Sequence, residues 1–138
     1  MGTIRKDIVT RASADAVWAA LRDVGALHTR LVPGFVVDTR LEPGARVVTF
    51  GNGNVVRELI VTVDEQARRL VWTTESQLTP HYNSAAEVVV DAAGKTHVVW
   101  TSDFLPDGAR EKLDGMMTAG AEVMQRTLDA LVTAAARV

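Results

Sequence analysis

Apolar residues alternate with polar ones through most of positions 35–104, and turn residues interrupt the alternation at regular intervals. Runs rich in Val, Thr and aromatic residues, bounded by Gly, Pro, Asn or Asp, are typical of antiparallel strands joined by short turns. The pattern predicts a meander of six strands, at 35–41, 46–50, 55–63, 70–77, 82–90 and 96–104. A first strand is expected at 4–12, which gives seven strands for one sheet.

Apolar residues at helical spacing follow this first strand. Val17, Trp18 and Leu21 recur at intervals of three or four, and Ser13 precedes them as a potential N-cap. The spacing predicts a short helix at 14–23. A second short helix is expected at 26–31, before the Pro and Gly that follow it.

The end of the chain has the periodicity of a long amphipathic helix. It begins after the Pro-Asp-Gly segment 106–108 and presents one apolar face, formed by Leu113, Met117, Gly120, Met124, Leu128, Leu131 and Ala135. Some twenty-five residues at ~1.5 Å each give a helix of ~38 Å, about the length of a ten-residue strand. The helix is therefore long enough to lie across the whole sheet, and the predicted fold class is α+β.

Length, charge and cysteine content narrow the protein class. With 138 residues the chain has the size of one domain, expected to extend over 1–138. The net charge of -2 provides no broad basic surface, so we expect no nucleic-acid partner. There is no cysteine and no apolar run of the ~20 residues that span a bilayer, so we expect a cytoplasmic protein without membrane insertion.

Three groups of residues carry a family resemblance. They are ASADAVW at 12–18, VREL at 56–59, and VVW at 98–100 followed by DFLP at 103–106. In this order and spacing, the sequence resembles the START-like, birch-pollen-allergen (SRPBCC) superfamily, in its polyketide cyclase/dehydrase and lipid-transport branch. The resemblance implies a helix-grip fold over 1–138, in which a seven-stranded curved antiparallel sheet wraps around the long C-terminal helix. It also implies a small hydrophobic molecule as partner.

Strand alternation and the resemblance together predict the residues of an inner pocket. The resemblance places Glu58 on the inner face, and alternation then puts Val56, Ile60 and Thr62 beside it. Leu70 and Phe104 are expected in the neighbouring inward rows. The predicted ligand-binding residues are Phe50, Val56, Glu58, Ile60, Trp72, Thr74, Asn83, Val98, Trp100, Ser102, Met117, Gly120 and Met124.

Glu58, His81 and Tyr82 are the candidates for acid–base chemistry. An inward carboxylate is costly unless it is paired or hydrated, so Glu58 is either a ligand contact or general base, or a partly solvated strand residue. His81 either closes over a ligand at the pocket mouth or is an ordinary loop histidine. Tyr82, like Asn83, either contacts a ligand or simply ends a strand.

Other motifs do not support metal or nucleotide chemistry. The GNGN segment 51–54 is interpreted as a hairpin turn, and the resemblance makes it a mobile gate opposite His81. His28, His81 and His97 lack metal-ligand spacing, so we expect neither a metal nor a cofactor.

Two kinds of function remain open. The first is binding of a polyketide, lipid or isoprenoid-like molecule, as a carrier or as a polyketide cyclase, aromatase or dehydratase. The second is a protein-interaction module of the same fold without turnover. Leu59, Val61 and Val63 form an apolar row that is expected to face outward, so the protein is a monomer or a homodimer.

Overall fold

The computed structural model describes the backbone of residues 1–136 and the side chains of residues 1–132. Seven strands form one antiparallel sheet in these residues, in the order β1-β7-β6-β5-β4-β3-β2. The strands are β1 (Gly2–Thr10), β2 (Val36–Glu42), β3 (Ala45–Phe50), β4 (Val55–Asp64), β5 (Arg69–Glu75), β6 (His81–Val90) and β7 (Thr96–Leu105). The predicted meander is therefore confirmed, with strand ends that differ by one or two residues.

The segment between β1 and β2 is helical, as predicted. Helix α1 (Ala14–Arg22) begins at the predicted N-cap, where the Ser13 hydroxyl accepts a hydrogen bond from the Ala16 amide at 3.1 Å. The second short helix is a 3-10 turn (Val24–Ala26) that continues into a π-helical turn (Leu27–Leu31). These helices lead the chain from β1 to β2, the two edge strands of the sheet.

The long helix α2 (Arg110–Ala136) packs on the inner face of the sheet. Its 27 residues extend for about 40 Å. The predicted apolar face is buried from Leu113 to Leu128, but Leu131 is 36% exposed, and Ala135 lies outside the described side chains. No helix in residues 1–136 combines the length and the apolar composition that crossing a membrane requires.

Strand alternation places the predicted rows of β5 and β7 on the inner face. Leu70 and Trp72 are buried on β5, and Trp100 and Phe104 are buried on β7. Because cross-strand partners point to the same face, the pairing of Trp100 with Ala86 extends this row across β6. The inner face of the sheet and α2 therefore enclose one apolar core.

A β-bulge changes the alternation within β4. Ile60 and Thr62 face neighbouring residues of β5, and Val61 is the extra residue between them. Val63 then lies opposite the buried Leu70, so it is on the inner side. The prediction that Thr62 faces inward and that Val63 belongs to an outward row is therefore wrong, because a bulge reverses the parity of every residue after it.

The outer face of the sheet carries a histidine held by two carboxylates. His97 contacts Asp7 through Nδ1 and Asp91 through Nε2, both at 2.7 Å. The hydrogen bond to Asp91, followed by that to Asp7, raises the pKa of His97 above its ordinary value of 6.5. The charged imidazole is thus stabilised in the folded protein.

This cluster predicts a pH-dependent contribution to stability. Because the folded protein favours protonated His97, the imidazole contributes its full stabilisation below the pKa of the unfolded state, about 6.5. This contribution to the free energy of unfolding is lost as pH rises through the higher pKa of the folded state. We expect the stability difference between the wild-type protein and His97→Gln, measured by urea unfolding, to shrink as pH rises from about 6 to 9. Replacing both Asp7 and Asp91 with Asn should remove the same pH-dependent part of the unfolding free energy. If wild-type protein and His97→Gln differed in stability by the same amount at every pH in this range, the raised pKa of His97 would be contradicted.

Candidate functional site

A cavity of about 430 Å³ lies between the inner face of the sheet and α2. It opens at one end of the sheet, where the exposed residues Asn52, Leu78 and Lys112 line it. The rim contains the β3–β4 turn, the 76–80 loop and the first turns of α2. The two loops are the predicted lips of the mouth, and the hairpin interpretation of 51–54 is confirmed by the pairing of β3 with β4.

The cavity wall is mostly aliphatic and aromatic. It includes eight of the residues predicted for binding or catalysis, which are Phe50, Val56, Glu58, Trp72, Thr74, Tyr82, Trp100 and Met124. They come from β3 to β7 and from α2. The position of the seven strand residues follows from strand alternation, and that of Met124 follows from the apolar face of α2.

Helical and loop residues complete the wall and were missed by the sequence analysis. They are Leu21, Leu27, Leu31, Val32, Gly34, Phe35, Ala109, Lys112, Leu113 and Met116. Phe35 packs edge-to-face on Phe50, with 5.5 Å between the ring centroids. The apolar character of 27–35 was the available signal, but nothing in the spacing indicated that this segment turns back over the sheet.

Six predicted ligand-binding residues do not line the cavity: Asn83, which is on the outer face of the sheet, and five residues of the inner side. The five inner residues are Ile60, Val98, Ser102, Met117 and Gly120, and they belong to the packed core or its border. Val98 pairs with Ile8 and Val88, toward the end of the sheet that is far from the mouth. The cavity therefore occupies only part of the inner face, because α2 closes directly on the remainder.

His81 and Asn83 lie on the outer face of the sheet. Strand β6 begins at His81, not after it, so Tyr82 points inward and its two neighbours point outward. Asn83 accepts a hydrogen bond from the Thr73 hydroxyl on that face. The predictions that place His81 over the pocket mouth and Asn83 on a ligand are corrected, because alternation about the inward Tyr82 turns both side chains outward.

Glu58 is held inside the cavity wall by Arg46. Arg46 Nε donates to Glu58 Oε1 at 2.8 Å, and the two side chains are only 3% and 9% exposed. The guanidinium carbon of Arg46 lies 5.5 Å from the centroid of the Trp72 ring, and its Nη1 donates to the Val24 carbonyl at 3.3 Å. Glu58 is thus the partner of a buried cation in this structure, which neutralises its charge.

Tyr82 is a protonated phenol in this site. Burial raises the pKa of Tyr82 strongly, the negative charge of Glu58 raises it further, and a hydrogen bond with Ser102 has the opposite, weaker effect. The hydroxyl therefore stays neutral at physiological pH. It can donate a hydrogen bond to a carbonyl in the cavity, but it cannot act as a phenolate base.

Two buried polar atoms of the wall lack a hydrogen-bond partner among the described side chains. They are Thr79 Oγ1 and Trp100 Nε1. Both residues line the cavity, and they are 4% and 8% exposed. An unsatisfied buried donor costs free energy, so a ligand oxygen that reaches either atom would gain from it.

The histidines lie in separate surroundings. His28 contacts the Thr39 hydroxyl at 3.0 Å, whereas His97 belongs to the carboxylate cluster on the outer face. In the part of the chain that the structure describes, no group of three or more His, Asp or Glu residues is arranged to hold a metal ion. The polar side chains that line the cavity are the ion pair, the phenol, the Trp100 indole, a few hydroxyls and, at the mouth, Asn52, Asn54 and Lys112.

A curved antiparallel sheet that grips a long helix around an apolar cavity defines the helix-grip class of proteins. Residues 1–136 match the model of the family described as "Polyketide cyclase / dehydrase and lipid transport". The chain belongs to this family, which confirms the resemblance noted in its sequence. A search of curated proteins finds no match.

Solved structures share this fold. XoxI from Bacillus cereus superimposes with a TM-score of 0.82 at 16% identity, over 93% of this chain and 96% of XoxI. Norcoclaurine synthase from Thalictrum flavum, solved with dopamine and hydroxybenzaldehyde, gives 0.73 at 19% identity, over 96% of this chain and 86% of the synthase. The di-domain ARO/CYC BexL gives 0.79 at 16% identity, over 94% of this chain and 47% of BexL.

Proposed function

We propose that this protein binds a small, largely apolar molecule, such as a polyketide, lipid or isoprenoid, in its internal cavity. The observation that carries the proposal is the cavity itself, whose volume of about 430 Å³ lies within the range of known ligand sites, about 300–1,000 Å³. Its wall is apolar, and a few polar groups converge on it, as is usual for sites that orient one ligand. Membership of the polyketide cyclase/dehydrase and lipid-transport family supports the same function.

Native mass spectrometry of freshly purified protein is the direct test. We expect an adduct that is lost on denaturation and recovered in an organic extract, or uptake of an added apolar probe by the empty protein. A bare mass together with no uptake of any probe would overturn the proposal.

A filled cavity is expected to reject the ligand. Ala86 is 1% exposed and lines the cavity, so the added carbons of Ala86→Leu enter the empty space. Overpacking a ligand against them costs about 1–3 kcal/mol, which corresponds to a roughly 5- to 150-fold weaker affinity for an apolar probe. The measurement is a fluorescence titration of the wild-type protein and the variant.

Ala85→Leu is the matched control for this substitution. Ala85 neighbours Ala86 on the same strand but faces outward, and it pairs with Thr101 of β7. The control introduces the same side chain into β6 without reaching the cavity, so probe affinity should stay at the wild-type value. Equal affinities of all three proteins would place the probe outside the cavity.

A second candidate function, cyclase- or dehydratase-like catalysis, is favoured by the buried phenol. Tyr82 remains protonated and lines the cavity, so it can donate a hydrogen bond that polarises a ketone oxygen and stabilises the negative charge that develops there during ring closure. Glu58 is less suited to the role of general base, because Arg46 already occupies one of its oxygens. Among solved structures of this fold, BexL is an ARO/CYC protein.

Tyr82→Phe tests this second function. With a synthetic poly-β-ketone whose aldol closure yields a new aromatic absorbance, we expect a rate at least about a hundredfold lower, the usual loss when one hydrogen-bond donor to a developing oxyanion is removed. Apolar-probe affinity should be unchanged, which shows that the cavity is intact. Equal cyclisation rates for the variant and the wild type would remove Tyr82 from the chemistry, and no cyclisation by the wild type would favour a carrier.

The interaction-module alternative has weaker support in this structure. Val61 is 58% exposed, but the bulge puts Val63 on the inner side, so the two valines do not form one outward row. Sedimentation that shows stable self-association without any probe uptake would favour this alternative.

A further inference from the structure

The charged residues of the cavity wall are distributed unevenly between its interior and its mouth. In the interior, Arg46 and Glu58 neutralise each other at 2.8 Å. Lys112 lines the mouth, and among the described lining residues Glu58 is the only acidic one. The wall therefore has one uncompensated positive charge, and it lies at the opening.

The ammonium group of Lys112 is available for contact with a ligand. It has no ion-pair partner within the described residues. Asp114, the nearby carboxylate in α2, is instead paired with Lys6 of β1 at 2.7 Å. Glu111, the neighbour of Lys112 in α2, is exposed and does not line the cavity. Since Lys112 lies in the first turn of the 27-residue helix α2, the positive end of the helix dipole adds to its charge.

A second group at this end of the cavity also lacks a partner. Thr79, in the loop between β5 and β6, is 4% exposed, and its hydroxyl is unsatisfied among the described side chains. Asn52 and Asn54 line the mouth from the β3–β4 turn. The Oδ1 of Asn52 already accepts a hydrogen bond from the Asn54 amide at 3.0 Å, so its NH₂ group is the side that remains for a ligand. The rim thus offers an ammonium, a hydroxyl and an amide, all of which donate hydrogen bonds.

We propose that the natural ligand is a monoanionic amphiphile whose apolar body fills the cavity and whose acidic head group lies at the mouth against Lys112. This inference rests on the proposed function and specifies its ligand class. A single negative charge matches the single free positive charge, and the apolar wall matches the remainder of the molecule. A neutral hydrocarbon would leave both Lys112 and the Thr79 hydroxyl unused.

Dodecanoate and dodecanol provide the test, because they share one alkyl chain and differ in the charge of the head group. At pH 8 and low salt, where the carboxylate is ionised, we expect dodecanoate to bind the wild-type protein about two- to fivefold more tightly than dodecanol. The measurement is displacement of a bound apolar fluorophore. Lys112→Met should abolish this preference, and Lys112→Arg should retain it.

Lys95→Met is the matched control, since Lys95 is exposed in the β6–β7 turn and does not line the cavity. It should keep the wild-type preference for dodecanoate. Equal affinities of the wild-type protein for both compounds, or a preference that survives in Lys112→Met, would overturn the inference while leaving the binding function standing. If neither compound nor any apolar fluorophore binds, the proposed function fails, and this inference fails with it.

Discussion

Arg46→Met is expected to lower the free energy of unfolding by about 3–5 kcal/mol, the usual cost of removing one partner from a buried ion pair. The substitution leaves Glu58, whose side chain is 9% exposed, without its cation at 2.8 Å. It also removes the guanidinium from the Trp72 ring. The measurement is urea unfolding of the wild-type protein and the variant. A lower midpoint with an unchanged dependence of the unfolding free energy on urea concentration shows the loss of stability.

Two further variants separate the buried charge from other effects of the substitution. In Arg46→Met/Glu58→Met both charges are replaced by apolar chains, so most of the lost stability should return. Arg57→Met removes the more exposed pairs with Glu42 and Glu75, and it should cost less than about 1 kcal/mol. If the double variant were as unstable as Arg46→Met, the loss would come from packing and not from an unpaired carboxylate.

Gly120→Leu is expected to lower the free energy of unfolding by about 2–3 kcal/mol through overpacking. Even a Cβ at this position would lie 3.1 Å from Phe35 Cε2 and 3.2 Å from Trp100 Cζ3. A leucine therefore forces α2 away from the sheet or displaces both aromatic rings. Chemical unfolding measures the loss, and apolar-probe affinity should change with it because both rings line the cavity.

Gly115→Leu is the matched control in the same helix. No atom lies within 4 Å of a Cβ built at Gly115, so the larger side chain projects into open space. Leucine favours the helix over glycine by roughly 0.5–1 kcal/mol, and this variant should be stabilised by that amount. Similar stabilities of the two leucine variants would mean that α2 does not approach the sheet closely at Gly120.

The strands and the long helix could be predicted because each has a local signal. Alternation and turn residues mark the strands, and apolar residues at helical spacing mark α2. The inward position of Trp72 and Trp100 follows from parity once the resemblance has indicated which face is the inner one. The site was less predictable where parity depends on a single residue, as at the start of β6, which turns His81 outward, and at the bulge in β4, which reverses Val63.

The pairing of Arg46 with Glu58 could have been predicted from the sequence. The GNGN turn at 51–54 fixes the register of the β3–β4 hairpin, and this register places Arg46 directly opposite Glu58. Opposite charges at facing, inward positions of a hairpin are a signal of an ion pair. The extent of the cavity had no such signal, because it depends on how closely α2 approaches the sheet at Gly120 and on where the 27–35 segment folds back.

The strand register separates the two ends of the molecule. The mouth lies beside the pairing of His81 with Leu105, whereas the turn that joins β6 to β7 follows the pairing of Val90 with Thr96, some ten residues along the strands at the opposite end. Short polar loops at a surface tolerate insertions well. A reporter domain or an immobilisation tag placed in that distal turn would therefore leave ligand entry unobstructed, which makes it a suitable attachment point for a biosensor.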